Sequence, residues 1–172
     1  MITSDFIHPT AIVSDDCVIG PGTKVWVNAQ IREHSQIGKG CIVSKDVYVD
    51  RNVFIGDYCK IQNGVSIYDG VRVEEKVFIG PHACFTNDRT PRAFNESWEI
   101  KPTLVKKGAS IGANATIVCG VTLGEFCMVG AGSVVTRSVD PYTLVTGNPA
   151  EFVSYIDESG LRTDESPLEK KL

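Results

Sequence analysis

The sequence predicts an all-β fold, a parallel β-helix in which short strands wind into a three-sided prism. Three observations predict it. From Ile7 to Phe85 every sixth residue is large and apolar: Ile7, Val13, Ile19, Val25, Ile31, Ile37, Val43, Val49, Ile55, Ile61, Ile67, Val73, Ile79, Phe85. The series resumes in a new phase as Val105, Ile111, Ile117, Leu123, Val129 and Val135. Small or β-branched residues stand two places earlier, as at Ala11, Cys17, Thr23, Ala29, Ser35 and Cys41. Glycine follows the apolar residue at Gly20, Gly38 and Gly56, and again at Gly112 and Gly130, each spacing being 18. A period of six suits neither a helix nor a simple alternating strand, so it reports a repeating coil. A spacing of 18 makes three hexads one coil.

Taken along the chain, each hexad from Ile7 to Phe85 reads as one short flat strand whose apolar residue points inward. Neighbouring coils then exchange backbone hydrogen bonds as parallel strands, and no coil buries its apolar side without the next. The glycines are expected to supply the backbone freedom of a tight corner. Residues 86–104 break the pattern with TNDRTPRAFNESWEIKPTL, a polar stretch holding Trp98, two arginines and two prolines. A loop of that length in a compact fold is generally functional, and this one carries recognition chemistry. The hexads return at Val105 and end at Val135, where the chain is expected to leave the prism. Residues 145–150 (VTGNPA) read as a turn, which divides the chain into a β-helix over 1–150 and a tail over 151–172. Phe152, Val153, Tyr155 and Ile156 make the start of that tail apolar enough to pack.

The net charge of −4 comes with no basic patch, which argues against nucleic acid as a partner. There is no apolar run of membrane-spanning length and no signal-like N-terminus, so a cytoplasmic protein is expected. Cys17, Cys41, Cys59 and Cys127 fall on the small inward position of the hexad, and no C-x-x-C spacing occurs, so the thiols read as core filling. The three histidines, His8, His34 and His82, lack metal-ligand spacing, which speaks against a zinc enzyme. No metal is expected.

Three stretches carry a resemblance: KIQNGVSIY at 60–68; GPHACFTND at 80–88 with Pro91-Arg92-Ala93; and TLVKKGA at 103–109 through IVCGV at 117–121. They resemble the hexapeptide-repeat acyltransferases, and within them the N-acetyltransferases of nucleotide-linked 3-amino sugars. The likeness covers nearly all the chain to about residue 156 and is most specific in the FTND-x-x-PR loop. It implies a left-handed coil, a hand that the general crossover rule does not supply. It further implies a homotrimer with clefts between subunits, acetyl-CoA as co-substrate, and an amino sugar of surface polysaccharide (O-antigen) as acceptor. UDP-2-acetamido-3-amino-2,3-dideoxyglucuronate is the favoured acceptor. A dTDP-3-amino-6-deoxyhexose, or a sugar hydroxyl acetylated with a histidine base, are the alternatives.

Such a reaction needs a group to hold a neutral amine or the oxyanion, and the resemblance places Asn87 there. His82 is the first candidate base and His34 the second, although the resembled branch is thought to let the departing thiolate take the proton. Arg32, Gln62, Asn63, Tyr68, Asp88, Arg89 and Arg92 are the candidates for nucleotide, diphosphate or sugar carboxylate, arginine being suited to bidentate anions. For acetyl-CoA, Gly112, Ala113, Gly130 and Ala131 would leave a groove for the pantetheine arm, running to Asn148 and Pro149. Lys106 would screen a phosphate, with Lys107 beside it.

Overall fold

A computed structural model describes residues 1–168 and forms a β-solenoid with no helix. The first face is a 10-stranded sheet, the second has 7 strands and the third 6. Successive strands visit the faces in rotation: Phe6–Ile7 on the first, Ile12–Val13 on the second, Val18–Ile19 on the third, then Lys24–Val25 back on the first. Pairing is parallel and 18 residues apart, as in Ile19↔Ile37↔Ile55. The inward ladders are dry. Ile19, Ile55, Val73, Val105 and Leu123 of the third face have no exposed surface, and each fully buried aliphatic side chain contributes about 1.5–3 kcal/mol. Cys17, Cys41, Cys59 and Cys127 lie in that core as free thiols, and burial pushes the Cys127 thiol up to about 12.

The glycines have a different cause from the one their spacing suggests. Gly20, Gly38, Gly56, Gly112 and Gly130 are not in the left-handed region; that conformation occurs two residues later, at Gly22, Gly40, Tyr58, Asn114 and Gly132. What excludes a side chain is the coil above: a Cβ on Gly20 would sit 2.7 Å from Lys39 N and 2.8 Å from Gly38 C. Nor do the two glycine series share a corner. Gly20, Gly38 and Gly56 follow third-face strands, whereas Gly112 and Gly130 follow the first-face strands Ser110–Ile111 and Met128–Val129. The change precedes the break, since Gly80 already stands at the first-face corner against Ala113; the break itself makes Val73 pair with Val105, 32 residues on rather than 18. Loop residues 86–102 are thus inserted at the corner between second and third faces.

The solenoid also continues beyond Val135. Val139 bridges to Leu123 on the third face, and Thr143–Gly147 pairs in parallel with Met128–Val129 on the first. The corner after Val135 is two residues shorter than the others, so the six-residue count loses it although Val139 and Val145 still point inward. Ala150–Ile156 then turns back antiparallel on Thr143–Gly147, and Arg162–Thr163 pairs with it. The first part of the expected tail is therefore sheet.

Close stacking at the glycine corner predicts an unequal response to two substitutions. Gly20→Ala should cost about 1–3 kcal/mol, because backbone must move. Gly132→Asn, which meets nothing within 4 Å and keeps a left-handed residue, should cost under about 1 kcal/mol. Urea midpoints of the two variants check the order.

Candidate active site

Stacking at 18 sorts the sequence-derived candidates into corners. Arg32, Tyr68, Asn87 and Asp88 lie where second-face strands turn toward the third face. Gln62, Asn63, His82, Gly112, Ala113, Gly130 and Ala131 lie where first-face strands turn toward the second. Lys106 stands at the remaining corner. His82 and Asn87 flank the same strand, Cys84–Phe85, at opposite ends. Five residues of extended chain separate them by about 16 Å, so within one chain they do not meet.

A continuous run of hydrogen bonds follows the second–third corner. Arg32 donates Nε and Nη2 to Glu33 at 3.1 and 2.6 Å, and Nη1 to Asp50 Oδ1 at 3.3 Å. Asp50 also accepts from Tyr48 Oη at 3.0 Å, Arg51 N at 2.9 Å and Asp69 N at 3.2 Å. Asp69 Oδ2 accepts from Arg51 Nε and Asn52 Nδ2, both at 3.1 Å. Asn87 Nδ2 donates to Asp69 O at 3.3 Å. Burial works to raise the Asp50 carboxyl, but donation from Arg51, Asp69 and Tyr48, with the Arg32 charge alongside, outweighs it and holds the group below the ordinary 3.8. Arg32, read from sequence as an anion receptor, has its guanidinium engaged by two carboxylates here. Asp50, Asp69 and Arg51 were missed, yet counting back from Asn87 in steps of 18 reaches Asp69, Arg51 and Glu33.

The inserted loop closes on itself at its base, where Lys101 N donates to Asn87 O at 2.9 Å. Cys119 N donates to Thr86 Oγ1 at 3.0 Å, and Arg89 Nη1 to Cys119 O at 3.3 Å, so the loop is tied to the next coil. Asp88 Oδ1 accepts from Thr90 N at 2.8 Å, a local turn that orders the FTND segment. Asp88, Arg89, Asn95, Trp98 and Lys101 are among the residues lining a cleft of ≈ 240 Å³ under the loop. Arg92 is exposed, and among the described residues it donates only to Pro91 O, at 2.7 Å.

At the first–second corner the side chains dwindle toward the C-terminal coils. The His82 ring lies over Gly64, where a Cβ would collide with it. Ala131 is exposed and the Cβ position of Gly132 is open space, whereas the Thr146 side chain lies against Gly130. Gly112 itself is required by the backbone of Ala131 above it. Asn148 and Pro149 are exposed and joined by a cis peptide bond. His34 Nδ1 lies 2.8 Å from Asp16 Oδ2 on the second–third corner, three coils below Asn87, or about 14 Å at the usual strand spacing. His8 is half-buried against Thr10 Oγ1 at 3.0 Å. Lys107 is occupied by Glu75 at 3.1 Å. The described residues contain no group of three or more His, Cys, Asp or Glu able to hold a metal, and no helix long and apolar enough to cross a membrane.

The chain matches the bacterial transferase hexapeptide (six repeats) family over residues 16–51, 52–87 and 102–137. It is 61% identical over 54 residues to a dTDP-3-amino-3,6-dideoxy-α-D-galactopyranose 3-N-acetyltransferase of Aneurinibacillus thermoaerophilus, a match covering 31% of this chain and 28% of that protein. It is 43% identical over 58 residues to a 2,3,4,5-tetrahydropyridine-2,6-dicarboxylate N-acetyltransferase of Brevibacillus brevis, covering 34% and 25%. The matched part thus spans under a third of these relatives' length. Among solved structures, a variant GDP-perosamine N-acetyltransferase of Caulobacter crescentus, in complex with CoA and GDP-perosamine, superposes with a TM-score of 0.63 at 25% identity, over 86% of this chain and 55% of that one. A hexapeptide-repeat acetyltransferase of Vibrio cholerae with acetyl-CoA gives 0.58 at 26% identity, over 79% and 72%.

The Asp50 geometry carries a pH signature. Its folded pKa lies below the ordinary 3.8, so its stabilisation is complete above that value and lost as pH falls through the folded one. Asp50→Asn should therefore cost about 1.5–3 kcal/mol at neutral pH, with the gap to the parent closing in acid. Urea unfolding at neutral pH and near pH 2.5 reads this out, and an equal gap at both would contradict it.

Proposed function

Because the chain belongs to the bacterial transferase hexapeptide family, we propose that it is an acetyl-CoA-dependent N-acetyltransferase acting on the amino group of a nucleotide-linked amino sugar. One observation carries the reading: the insertion in the repeat, 86–102, lines a cleft with Asp88 and Arg89 and seats the adjacent Asn87 on a hydrogen-bonded corner. The coenzyme A complex of the Caulobacter relative and the dTDP-3-amino-sugar activity named for the Aneurinibacillus relative support the same class.

Acetyl-CoA supplies an activated acyl carbon as a thioester. The sugar amine attacks that carbon, the C–N bond forms as the C–S bond breaks, and the amine's surplus proton leaves with the sulfur as the free thiol. In this reading Asn87 positions the amine. Its Nδ2 is committed to Asp69 O, which leaves Oδ1 to accept an amine N–H and aim the lone pair at the thioester. The small side chains along Ala113, Gly130 and Ala131 would leave room for a thin pantetheine arm, with Asn148 and Pro149 at its far end and Lys106 as a phosphate contact. Gln62, Asn63 and Tyr68 would face the nucleotide, and Asp88 would order the sugar-side loop. Arg89 and Arg92 would meet a sugar carboxylate, which favours UDP-2-acetamido-3-amino-2,3-dideoxyglucuronate as acceptor. The 61% match favours a dTDP-3-amino-6-deoxyhexose instead.

The distance between the two corners supports a homotrimer. A three-fold assembly through the second face would set the groove of one subunit against Asn87 of the next, and the upper part of that face offers small half-buried side chains, Ser66, Cys84, Thr116 and Val134. The catalytic unit in this reading is 1–150, and of the tail 151–172 the described part, to residue 168, extends the first-face sheet. Six free cysteines suit a reducing cytoplasm, where precursors of surface polysaccharide such as O-antigen are made.

Thiol release from acetyl-CoA against a panel of UDP- and dTDP-3-amino sugars tests the proposal, and silence across the panel would sink it. Asn87→Ala should lower kcat about 10²–10³-fold. His82→Asn and His34→Asn should each stay within about tenfold of the parent; a loss of about 10³ in either would favour hydroxyl acetylation with a histidine base.

A further inference from the structure

The turn Tyr68-Asp69-Gly70 gathers both ends of the inserted loop. Asp69 O accepts the Asn87 side-chain amide at 3.3 Å, and Gly70 O accepts Thr103 N at 3.0 Å, where the chain re-enters the third face. Ile100 packs so closely over Gly70 that a Cβ there would collide with it, and Gly70 is left-handed at φ +93. The turn is itself clamped. Its own Val71 N donates to Tyr68 O at 3.2 Å, and Asp50 Oδ2 takes Asp69 N at 3.2 Å. The Asp69 carboxylate, only 14% exposed, is gripped by Arg51 and Asn52 from the coil below. Neither Asp50 nor Asp69 belongs to the inserted loop.

We propose that Asp69 is a positioning residue that fixes the Asn87 amide and sets the register of loop 86–102, so that the reacting amine is held by a group braced through Asp69 to Arg51 and Asp50. The catalytic part of this inference rests on the acetyl-transfer reading above; the loop part does not. The physical need is plain. A loop of this length has many closed conformations, and an amide that must hold an amine cannot wander by an ångström without losing rate. A carboxylate held by a guanidinium and an amide resists rotation better than one hydrogen bond would. Aspartate suits position 69 because its short side chain reaches Arg51 Nε and Asn52 Nδ2 while its own N–H and carbonyl remain in the turn. Asp69 acts through its neighbours and touches no reacting atom in this account.

Asp69→Asn keeps the shape and removes the charge that Arg51 holds. It should lower kcat about tenfold with KM for acetyl-CoA unchanged, whereas a general loss of fold would move both. The deciding comparison is a double-mutant cycle with Asn87→Ala. If Asp69 works through Asn87, adding Asp69→Asn to Asn87→Ala should cost less than about twofold more; losses that multiply overturn the catalytic part. A second measurement is independent of activity. Trypsin should cut Asp69→Asn several-fold faster at Arg89 and Arg92 while the thermal midpoint of the solenoid holds. Unchanged cleavage overturns the loop part, whatever the enzyme does. If the parent releases no thiol with any sugar, the functional proposal fails alone and proteolysis still decides the loop.

Discussion

Parallel pairing at a fixed 18-residue step is the constraint on which everything else in this protein depends. Each coil buries its apolar side only because the next coil lies about 4.8 Å away, so the register of one strand fixes that of all its neighbours. Side chains at equivalent corners then form columns, and a column can be written into the sequence at a period of 18. The columns of isoleucine and valine make the core. Glycine occupies positions where successive backbones approach to within a Cβ's width, as between Gly20 and Lys39. The polar column Glu33, Arg51, Asp69, Asn87 is the same device built from hydrogen-bonding side chains.

An insertion into such a stack is tolerated at a corner, where the chain already leaves the plane of the sheets, although it forgoes inter-coil corner bonds such as Asn52 N to Glu33 O at 3.1 Å. The cost is a loop whose ends must still return to neighbouring coils. Here the return is managed by one turn, with Asn87 and Thr103 both bonded to its carbonyls. The prism has flat faces and little concavity of its own, so a long loop and a neighbouring subunit are the two ways to build a cleft. Asn87 and the small residues around Ala131 stand at opposite edges of one face. In the proposed reading a second copy of the chain completes the site.

Much of this was legible in the sequence because the repeat is strict. Ile19, Ile37 and Ile55 announce both the coil and its period, and the jump from Phe85 to Val105 locates the insertion to within two residues. The glycines were legible as special positions, but their cause was not: the spacing of Gly20 and Gly38 cannot distinguish a strained corner from a close backbone contact. The final coil was hidden by a corner two residues shorter than the rest, which a fixed count of six steps past Val139. Asn87 stood out through its motif. Asp50 and Asp69 did not, since an isolated aspartate on a polar corner looks like a solvated one until its partners 18 residues away are considered. Arg32 shows the converse: its side chain advertises anion binding, and the structure surrounds it with Glu33 and Asp50.

The central claim is that the reaction occurs where the Asn87 corner of one subunit meets the small-residue groove of another. Mixed assemblies test it most directly. Asn87→Ala and Ala131→Trp subunits, each expected to be strongly impaired when assembled alone, are unfolded together and refolded as a mixture. The account predicts that acetyl transfer returns to a sizeable fraction of the parent rate, because some seams then carry an intact Asn87 and an open groove from different chains. A mixture as inactive as its two components would contradict it.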